Sequence, residues 1–314
     1  MGETYQHRPV VLEECIQALA IRPDGIYIDG TLGRGGHSGQ IVRRLSPAGR
    51  LICIDRDRQA LEEAGELLAP WADRIVFLHG NFGDLDQLLE QAGVPAADGM
   101  LFDLGVSSPQ LDDPARGFSY MQDAPLDMRM DREDALTAWT VVNRWPREEL
   151  RRILSQYGEE RYAGPIAAAV ERARAAAPID TTGQLVEIIR GALPAAALRE
   201  KQHPAKRSFQ GIRIAVNDEL AAISRMLQAA VPRLRPGGRL AVISFHSLED
   251  RIVKSELAAA AKGCTCPPSF PVCVCGKKPQ VRLVSRKPIL PGPEELAENP
   301  RSRSAKLRVA EKLE

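Results

Sequence analysis

The stretch Ile26-Tyr-Ile-Asp-Gly-Thr-Leu-Gly-Arg-Gly-Gly-His37 decides the fold, because a short apolar strand in it runs into an acid and then a glycine-dense turn. A helix is predicted over 38–45, and a second apolar strand, Arg50-Leu-Ile-Cys-Ile-Asp55, also ends in a carboxylate. Strands that alternate with helices are typical of a parallel sheet, whose ligands bind at the carboxyl ends of the strands. The pattern predicts an α/β fold with a Rossmann-like doubly wound sheet and a ligand site beside Asp29 and Asp55.

The spacing of the glycines discriminates between ligands. A dinucleotide site needs Gly-x-Gly-x-x-Gly, and the helix that follows points its N-terminus at a pyrophosphate. Here Gly33 and Gly35 are followed by Ser38 where the third glycine is required, and Asp29 would repel a pyrophosphate. S-adenosylmethionine has no phosphate and carries a sulfonium and an ammonium group. The pattern therefore favours a methyl-donor site over a dinucleotide site, with a purely structural tight turn as the third alternative.

Composition fits an ordinary globular protein of 314 residues with 44% hydrophobic and 26% charged residues, so one large domain with an insertion, or two domains, is expected. The longest apolar runs are alanine-rich and interrupted by proline and charges, which argues against a membrane partner. The first eight residues lack the layout of a signal peptide, and we expect a cytoplasmic protein. The sequence leaves the oligomeric state open, a homodimer included.

Charge is unevenly distributed despite a formal net charge of +1. Nine Lys and Arg residues but three Glu residues lie between Lys277 and Arg308, and a second basic group lies between Arg199 and Arg213. A basic stretch is often only a solvated face. Two such stretches, which flank the expected cofactor end of the sheet, however favour a polyanionic partner.

The strand–helix rhythm breaks once along the chain. Strands are predicted at Ile26–Asp29, Leu51–Asp55, Arg74–His79 and 99–103, and helices without a clear strand fill 114–210. The rhythm then resumes with a helix over Ala215–Leu234, a strand over Arg239–Phe245, and an antiparallel pair formed by Gln280–Lys287 and Ser304–Lys312. We therefore expect a sheet domain made of 1–113 and 211–314, with 114–210 as an inserted helical domain that recognises the substrate.

A second motif begins where the fourth strand ends, at Asp103-Leu-Gly-Val-Ser-Ser-Pro-Gln110. Methyl transfer to an exocyclic amine needs acceptors that hold the amine hydrogens and turn the nitrogen lone pair toward the methyl group. Candidate acceptors, and hence candidate catalytic groups, are Asp103, the backbone carbonyls around Ser107 and Ser108, and the Gln110 amide. A simple turn that closes the strand is the alternative.

Several blocks of the chain, taken together, resemble the signature blocks of the bacterial ribosomal RNA small subunit methyltransferase H family. They are 30–38, 103–112, Arg116-Gly-Phe-Ser-Tyr120 with Pro125-Leu-Asp-Met-Arg-Met130, Phe209 through Asn217-Asp-Glu219, 243–251 and 299–306. The resemblance covers nearly the whole chain. It implies a class I methyltransferase sheet that carries an inserted helical domain.

The same resemblance implies a reaction and a set of site residues. The family methylates the N4 of one cytidine in the decoding region of 16S rRNA in the small subunit, using S-adenosyl-L-methionine. Cofactor contacts would fall on Gly35, Gly36, His37, Asp55, Phe82, Asp103 and Gln110. For His37 a capping role, and for Phe82 a core position, are nearly equal alternatives.

Aromatic and basic residues are the candidates for binding the RNA. Phe118 and Tyr120 follow the Asp103 motif and could stack on an extruded cytosine, with packing inside the insertion as the equal alternative. The phosphate-binding candidates are Lys206, Arg207, Arg301 and Arg303. His246 is a weak candidate for a general base, since a methylated amine can lose its proton to water.

Four cysteines form two Cys-x-Cys pairs, Cys264 with Cys266 and Cys273 with Cys275, in a proline-rich segment. Zinc sites more often use Cys-x2-Cys, so we expect no metal and a reduced, tightly turned loop, with metal binding left open.

Two other functions remain as alternatives. A DNA amino-methyltransferase would favour Asp/Asn/Ser-Pro-Pro-Tyr/Phe, whereas Ser108-Pro109-Gln110 lacks the second proline and the aromatic residue. A non-catalytic RNA-binding module would more readily have lost Asp55 or Asp103.

Overall fold

A computed structural model of the chain describes residues 9–264, 266–267, 270–272 and 274–314. Its sheet has seven strands: β1 (Ile26–Asp29), β2 (Arg50–Asp55), β3 (Ile75–His79), β4 (Ala97–Asp103), β5 (Leu234–Ser244), β6 (Val281–Leu283) and β7 (Lys306–Lys312). Their order is β3-β2-β1-β4-β5-β7-β6. The first five strands run parallel, and β7 is antiparallel to both β5 and β6. The class I methyltransferase fold predicted from the sequence is confirmed.

Fourteen α-helices accompany this sheet in the described part of the chain. They are α1 (Leu12–Leu19), α2 (Gly36–Val42), α3 (Arg58–Leu68), α4 (Leu85–Gln91), α5 (Ser108–Asp112), α6 (Ala138–Arg144), α7 (Arg147–Gln156), α8 (Ala163–Ala176), α9 (Thr182–Ala192), α10 (Ala195–Leu198), α11 (Lys206–Asn217), α12 (Glu219–Ala230), α13 (Ser247–Ala261) and α14 (Pro293–Glu298). No helix among the described residues combines the length and the apolar character that a membrane crossing requires.

The connection order reverses at β1, which lies between β2 on one side and β4 on the other. In open α/β sheets, ligands bind outside the carboxyl ends of the strands at such a switch point. The central strands are buried on both faces, as parallel strands covered by helices must be, and Ile28, Ile52 and Met100 are fully inaccessible to solvent. The fold therefore brings Asp29, Asp55 and Asp103 to the same edge of the sheet.

The chain forms two compact units. The sheet unit extends to Gly105 and resumes at Leu220, and the second unit is Val106–Glu219. The second unit contains α5 to α11 and has a hydrophobic core of its own, in which Met128, Val141 and Ile189 are fully buried. The helical domain predicted for 114–210 lies within this second unit.

Two predicted elements near the return to the sheet unit were wrong in their bounds. The single helix expected over Ala215–Leu234 is two helices, because Asp218 takes a left-handed conformation with φ of 50° and ends α11. The fifth strand was expected to begin at Arg239, but β5 begins at Leu234 and passes the Pro-Gly-Gly segment with an irregularity in its pairing to β4. The predicted antiparallel pair at the end of the chain is confirmed as β6 and β7, although β6 is shorter than expected.

Candidate active site

The turn after β1 is fixed by hydrogen bonds to both neighbouring strands. The Gly30 N–H donates to the Leu101 carbonyl at 2.9 Å, and the Leu32 N–H donates to the Ile54 carbonyl at 3.0 Å. Gly33 and Gly35 have φ values of 50° and 75°, in the left-handed region that glycine adopts with least strain. The glycines are thus required by the path of the backbone at the switch point of the sheet.

Asp29 organises this turn from the end of β1. One carboxylate oxygen accepts the Thr31 N–H at 3.2 Å, and the other accepts the Ser38 hydroxyl at 2.7 Å. Its side chain is buried, and this burial, opposed by those hydrogen bonds, raises the pKa of the Asp29 carboxyl to about 6. Both Asp29 oxygens thus hold the turn that leads into α2.

Asp55 ties the end of β2 to the same turn. Its Oδ2 accepts the Gly33 N–H at 2.8 Å, and its Oδ1 accepts the Asp57 N–H at 2.9 Å. Each carboxylate oxygen can accept a further bond, so Asp55 can still take a ribose hydroxyl. Burial raises the pKa of the Asp55 carboxyl, while the backbone donors from Asp57 and Gly33 oppose that rise.

Asp103, at the end of β4, carries a buried oxygen without a partner. Its backbone N–H donates to the Thr31 hydroxyl at 2.6 Å, but its Oδ1 makes no hydrogen bond although it is shielded from solvent. Burial, followed by the charges of Asp29, Glu249 and Glu295, raises the pKa of the Asp103 carboxyl well above its usual range. A buried acceptor in an acidic surrounding is costly, and a cation or an N–H donor would relieve it.

Sequence reasoning missed Glu249 and Glu295. Glu249 is fully buried, and its Oε2 accepts the N–H groups of Phe245 and His246 at 2.8 and 3.2 Å in a capping box that begins α13. The spacing of His246 and Glu249 resembles a capping box and could have indicated this role. Glu295 accepts the Val11 N–H at 2.9 Å. The two residues are 284 positions apart in sequence, so no local pattern could reveal this contact.

Two glycines of this turn differ in how much room surrounds them. A Cβ added to Gly33 would meet nothing within 4 Å, whereas one added to Gly36 would lie 2.2 Å from the Pro9 Cγ. Gly33 therefore borders free volume, while Gly36 is packed against the segment before α1.

Two of the predicted cofactor contacts have structural partners. The His37 ring is buried, and its Nε2 lies 3.1 Å from the Val10 carbonyl, which favours a packing role for the side chain. Phe82 follows β3 in a short 3-10 helix and packs edge-to-face on Phe102 with ring centroids 6.1 Å apart. The Phe82 side chain remains partly exposed.

The Asp103 motif crosses the boundary between the two units, because the sheet unit ends at Gly105. Ser107 and Gln110 form a capping box at α5, in which the Gln110 Oε1 accepts the Ser107 N–H at 3.1 Å. Ser108 is the first residue of α5 and is partly exposed. Roles for Ser108 and Gln110 in catalysis or cofactor binding stay predictions, and the observed function of the Gln110 side chain is to start a helix.

The two aromatic candidates are packed within the helical unit. Phe118 is buried in its core, which supports the packing alternative. Tyr120 is partly exposed, stacks on His203 with centroids 4.5 Å apart, and meets Phe209 edge-to-face. A base could reach Tyr120 more readily than Phe118.

The basic candidates are at the surface of their own units. Lys206 is exposed and Arg207 partly exposed at the first turn of α11. Arg301 and Arg303 are exposed on the 3-10 helix Pro300–Ser304 before β7, where the buried Ser302 between them donates to the Asn299 carbonyl at 2.7 Å. Both pairs are placed to contact a polyanion from solvent.

Comparison with known proteins matches the model described as "MraW methylase family" to residues 4–313. The chain belongs to the MraW methylase family. A relative from Symbiobacterium thermophilum is 57% identical over 99% of this chain and 98% of its own length, and one from Paenibacillus sp. is 57% identical over 98% and 100%. Both are named "Ribosomal RNA small subunit methyltransferase H". Among solved structures, a precorrin-6y C5,15-methyltransferase from Geobacter metallireducens matches with a TM-score of 0.42 and 7% identity over 99% of this chain and 94% of that one.

This MraW-family methylase is an enzyme whose methyl donor is S-adenosylmethionine. The residues at the switch point fit that donor, since its sulfonium and ammonium groups suit the acidic surroundings of Asp103 and its ribose hydroxyls suit Asp55. A Cβ at Gly33 would meet nothing within 4 Å, so no neighbouring group crowds the turn at that position. A dinucleotide would place a pyrophosphate beside these same acids, which is unfavourable.

Proposed function

We propose that this protein transfers a methyl group from S-adenosylmethionine to the exocyclic N4 of a cytidine in the decoding region of 16S rRNA, within the small ribosomal subunit. The observation that carries the proposal is the buried, unpartnered Oδ1 of Asp103 at the end of β4. An acceptor in that position suits an amine hydrogen, and it lies on the strand that leads into the Asp103-to-Gln110 motif.

The substrate class is supported by the names of the relatives. Both of the 57% identical proteins are named for the small-subunit ribosomal RNA, and the match extends through the helical unit as well as the sheet unit. The basic residues at Lys206, Arg207, Arg301 and Arg303 supply the positive charge that binding to RNA phosphates requires. The cytoplasm, where bacterial ribosomal subunits assemble, is the compartment that this substrate implies.

The choice of an amine rests on what the reaction asks of the protein. The donor supplies an electrophilic methyl group on sulfur. The N4 lone pair of cytosine is delocalised into the ring and is therefore a weak nucleophile. The protein must hold the amine hydrogens out of the ring plane, so that the lone pair points at the methyl group. The N4–C bond forms as the C–S bond breaks, the bonding pair leaves with sulfur, and N4 loses one proton to solvent. Asp103 would accept an N–H hydrogen bond throughout this step.

Asp103 plays that part best when it is ionised, because a charged carboxylate is a stronger acceptor than a neutral carboxyl group. Its pKa is raised by burial and by neighbouring acids, so a large fraction of the carboxyl is protonated in the free enzyme at lower pH. A cationic donor beside it would lower the pKa again and release the proton. We therefore expect methyl transfer to be lost as the pH falls.

The test is methyl transfer from radiolabelled S-adenosylmethionine to small ribosomal subunits isolated from cells that lack this enzyme. We expect label to enter the rRNA of these subunits, little to enter subunits from unmodified wild-type cells, and none to enter a DNA duplex. Incorporation into DNA alone would support the amino-methyltransferase of DNA instead. If the protein bound the donor but no label entered any substrate, a non-catalytic RNA-binding module would be supported instead.

A further inference from the structure

The segment that joins α13 to β6 is long, and its described residues form no helix or strand. It spans 262–280, and its base is closed by the Gln280 N–H, which donates to the Ala260 carbonyl at 2.8 Å, and by the Lys277 ammonium, which lies 3.4 Å from the Ala259 carbonyl. Irregular segments longer than about 12–15 residues are uncommon in compact domains unless they have a function.

Hydrophobic burial does not hold the described part of this loop together. Phe270, Val272 and Val274 are 50%, 70% and 74% exposed. Burial of apolar side chains is the main source of stability for an irregular segment, and small units that lack it are usually stabilised by a cross-link or a metal.

Three thiols converge inside the loop. The Sγ atoms of Cys264, Cys266 and Cys275 all lie within 4.8 Å of one another. The Cys264 and Cys275 sulfurs are 3.7 Å apart, far longer than a disulfide bond of about 2.05 Å. With Zn–S bonds of about 2.3 Å, two sulfurs at neighbouring corners of a tetrahedron are separated by about 3.8 Å. The observed separation, which also suits a hydrogen bond between the two sulfurs, is compatible with two ligands of one zinc ion.

Backbone donors already point at two of these sulfurs. The Val274 N–H donates to the Cys266 Sγ at 3.4 Å, and the Cys266 N–H donates to the Cys264 Sγ at 3.4 Å. Hydrogen bonds to sulfur favour the thiolate, which is the form that binds metals, and such outer contacts are typical of metal sites. Cys273, the remaining thiol of the two Cys-x-Cys pairs, lies outside the described residues.

We propose that Cys264, Cys266 and Cys275 bind one Zn²⁺ ion, which fixes the loop between α13 and β6. This replaces the expectation, drawn from the spacing of the cysteines alone, that the loop is free of metal. The Cys-x-Cys spacing is unusual for zinc, but the fold brings Cys275 back to Cys264 across eleven positions of sequence. The proposal does not depend on the methyl-transfer reaction.

The first test is the metal content of the full-length protein, purified without chelators and without a metal-affinity tag, by plasma mass spectrometry. We expect close to one zinc per chain, and loss of that zinc in Cys264→Ser and in Cys275→Ser. Cys15→Ala is the matched control, because Cys15 is a buried free thiol of α1, and it should retain the metal. Binding of S-adenosylmethionine by each variant, measured by calorimetry, shows that the sheet unit is still folded.

A second readout is the spectrum after exchange with Co²⁺. Tetrahedral thiolate ligation gives intense charge-transfer and ligand-field bands, and both should appear in the wild type and be absent from Cys264→Ser. A wild-type protein that holds no zinc when refolded with excess Zn²⁺ would overturn the proposal. So would a peptide map that shows a disulfide between Cys264 and Cys275 in protein kept under reducing conditions.

Discussion

Asp98 and Asp103 are carboxylates at opposite ends of β4, and their surroundings differ sharply. Asp98 is paired with Arg22 at 3.4 Å and Arg235 at 2.8 Å, and it also accepts the Ile26 N–H at 2.9 Å. Asp103 faces other acids and leaves one buried oxygen without a hydrogen bond. The contrast separates a carboxylate that stabilises the fold from one that is suited to a ligand.

Asp103→Asn keeps the shape of the side chain and removes its charge. We expect the single-turnover rate of methyl transfer, at saturating donor and small subunits, to fall on the order of 100-fold, with a smaller loss in donor affinity. The matched control is Asp98→Asn, which should lower the melting temperature and leave donor affinity unchanged. An unaltered single-turnover rate in Asp103→Asn would assign Asp103 a structural role only.

Asp29 makes stability depend on pH. Its folded-state pKa of about 6 lies above the ordinary value of 3.8, so the folded protein binds more protons than the unfolded one between these values. The contribution of Asp29 to the free energy of unfolding therefore falls as the pH rises through this window, by up to roughly 3 kcal/mol.

Asp29→Asn cannot ionise and should escape that loss. Relative to the wild type, the variant should gain up to roughly 3 kcal/mol in free energy of unfolding between about pH 4 and about pH 7, measured by urea titration. Asp73→Asn, at an exposed carboxylate, is the control and should follow the wild type. If the free energy of unfolding changed with pH in the same way for the variant and the wild type, Asp29 would not have a raised pKa in the folded protein.

The turn between β1 and α2 needs glycine for different reasons at Gly33 and at Gly36. Gly33 has a positive φ and free space around it, whereas Gly36 touches the Pro9 ring. Gly33→Ala should cost roughly 1–2 kcal/mol of stability through its backbone conformation. Its methyl group would also enter the volume in which the donor is expected to bind.

We therefore expect Gly33→Ala to weaken donor binding at least tenfold while the protein stays folded. Both variants should lower the melting temperature, Gly36→Ala because its Cβ would require Pro9 to move, but only Gly33→Ala should also lose donor affinity. Calorimetry with S-adenosylmethionine and thermal melts of both variants distinguish these effects. If Gly33→Ala bound the donor as tightly as the wild type, the donor would lie elsewhere.

The first turn of α11 presents the basic pair Lys206 and Arg207. Replacing both by Glu should weaken RNA binding and reduce the slope of log K against log salt by about two, because fewer counterions are released. Donor affinity should not change. Filter binding across a series of salt concentrations measures the slope.

The matched control reverses Arg161 and Arg172, two exposed arginines of the same unit that lie outside both basic stretches. These changes should leave the salt slope close to that of the wild type. If the Lys206 and Arg207 variant had an unchanged slope and a lowered melting temperature, the pair would serve only to support α11.

The sequence predicted the elements whose patterns are local. Strands that end in Asp29, Asp55 and Asp103 are apolar runs closed by an acid, and the structure has all three. The break at Asp218 was missed because a non-glycine residue takes the left-handed conformation there, which propensity does not reveal. Glu249 and Glu295 were missed as neighbours of Asp103 because only the tertiary fold brings them near it.

At the scale of the whole molecule, two units share the work that the proposed reaction needs. The sheet unit carries the carboxylates and the glycine turn, and the helical unit, with its own core, carries Lys206, Arg207 and Tyr120. The family match and the 57% identical relatives extend across both units. The chemistry is thus proposed for one end of the sheet, and recognition of the RNA for surfaces of both units.

In the proposed reaction the methyl group goes to the N4 of a cytidine. Small subunits from cells lacking the enzyme should be incubated with it and with isotopically labelled S-adenosylmethionine, and their 16S rRNA digested to nucleosides for chromatography and mass spectrometry. We predict one labelled nucleoside that co-elutes with N4-methylcytidine and maps to a single position in the decoding region. Label recovered in 5-methylcytidine, in a ribose-methylated nucleoside or in a methylated purine would contradict it.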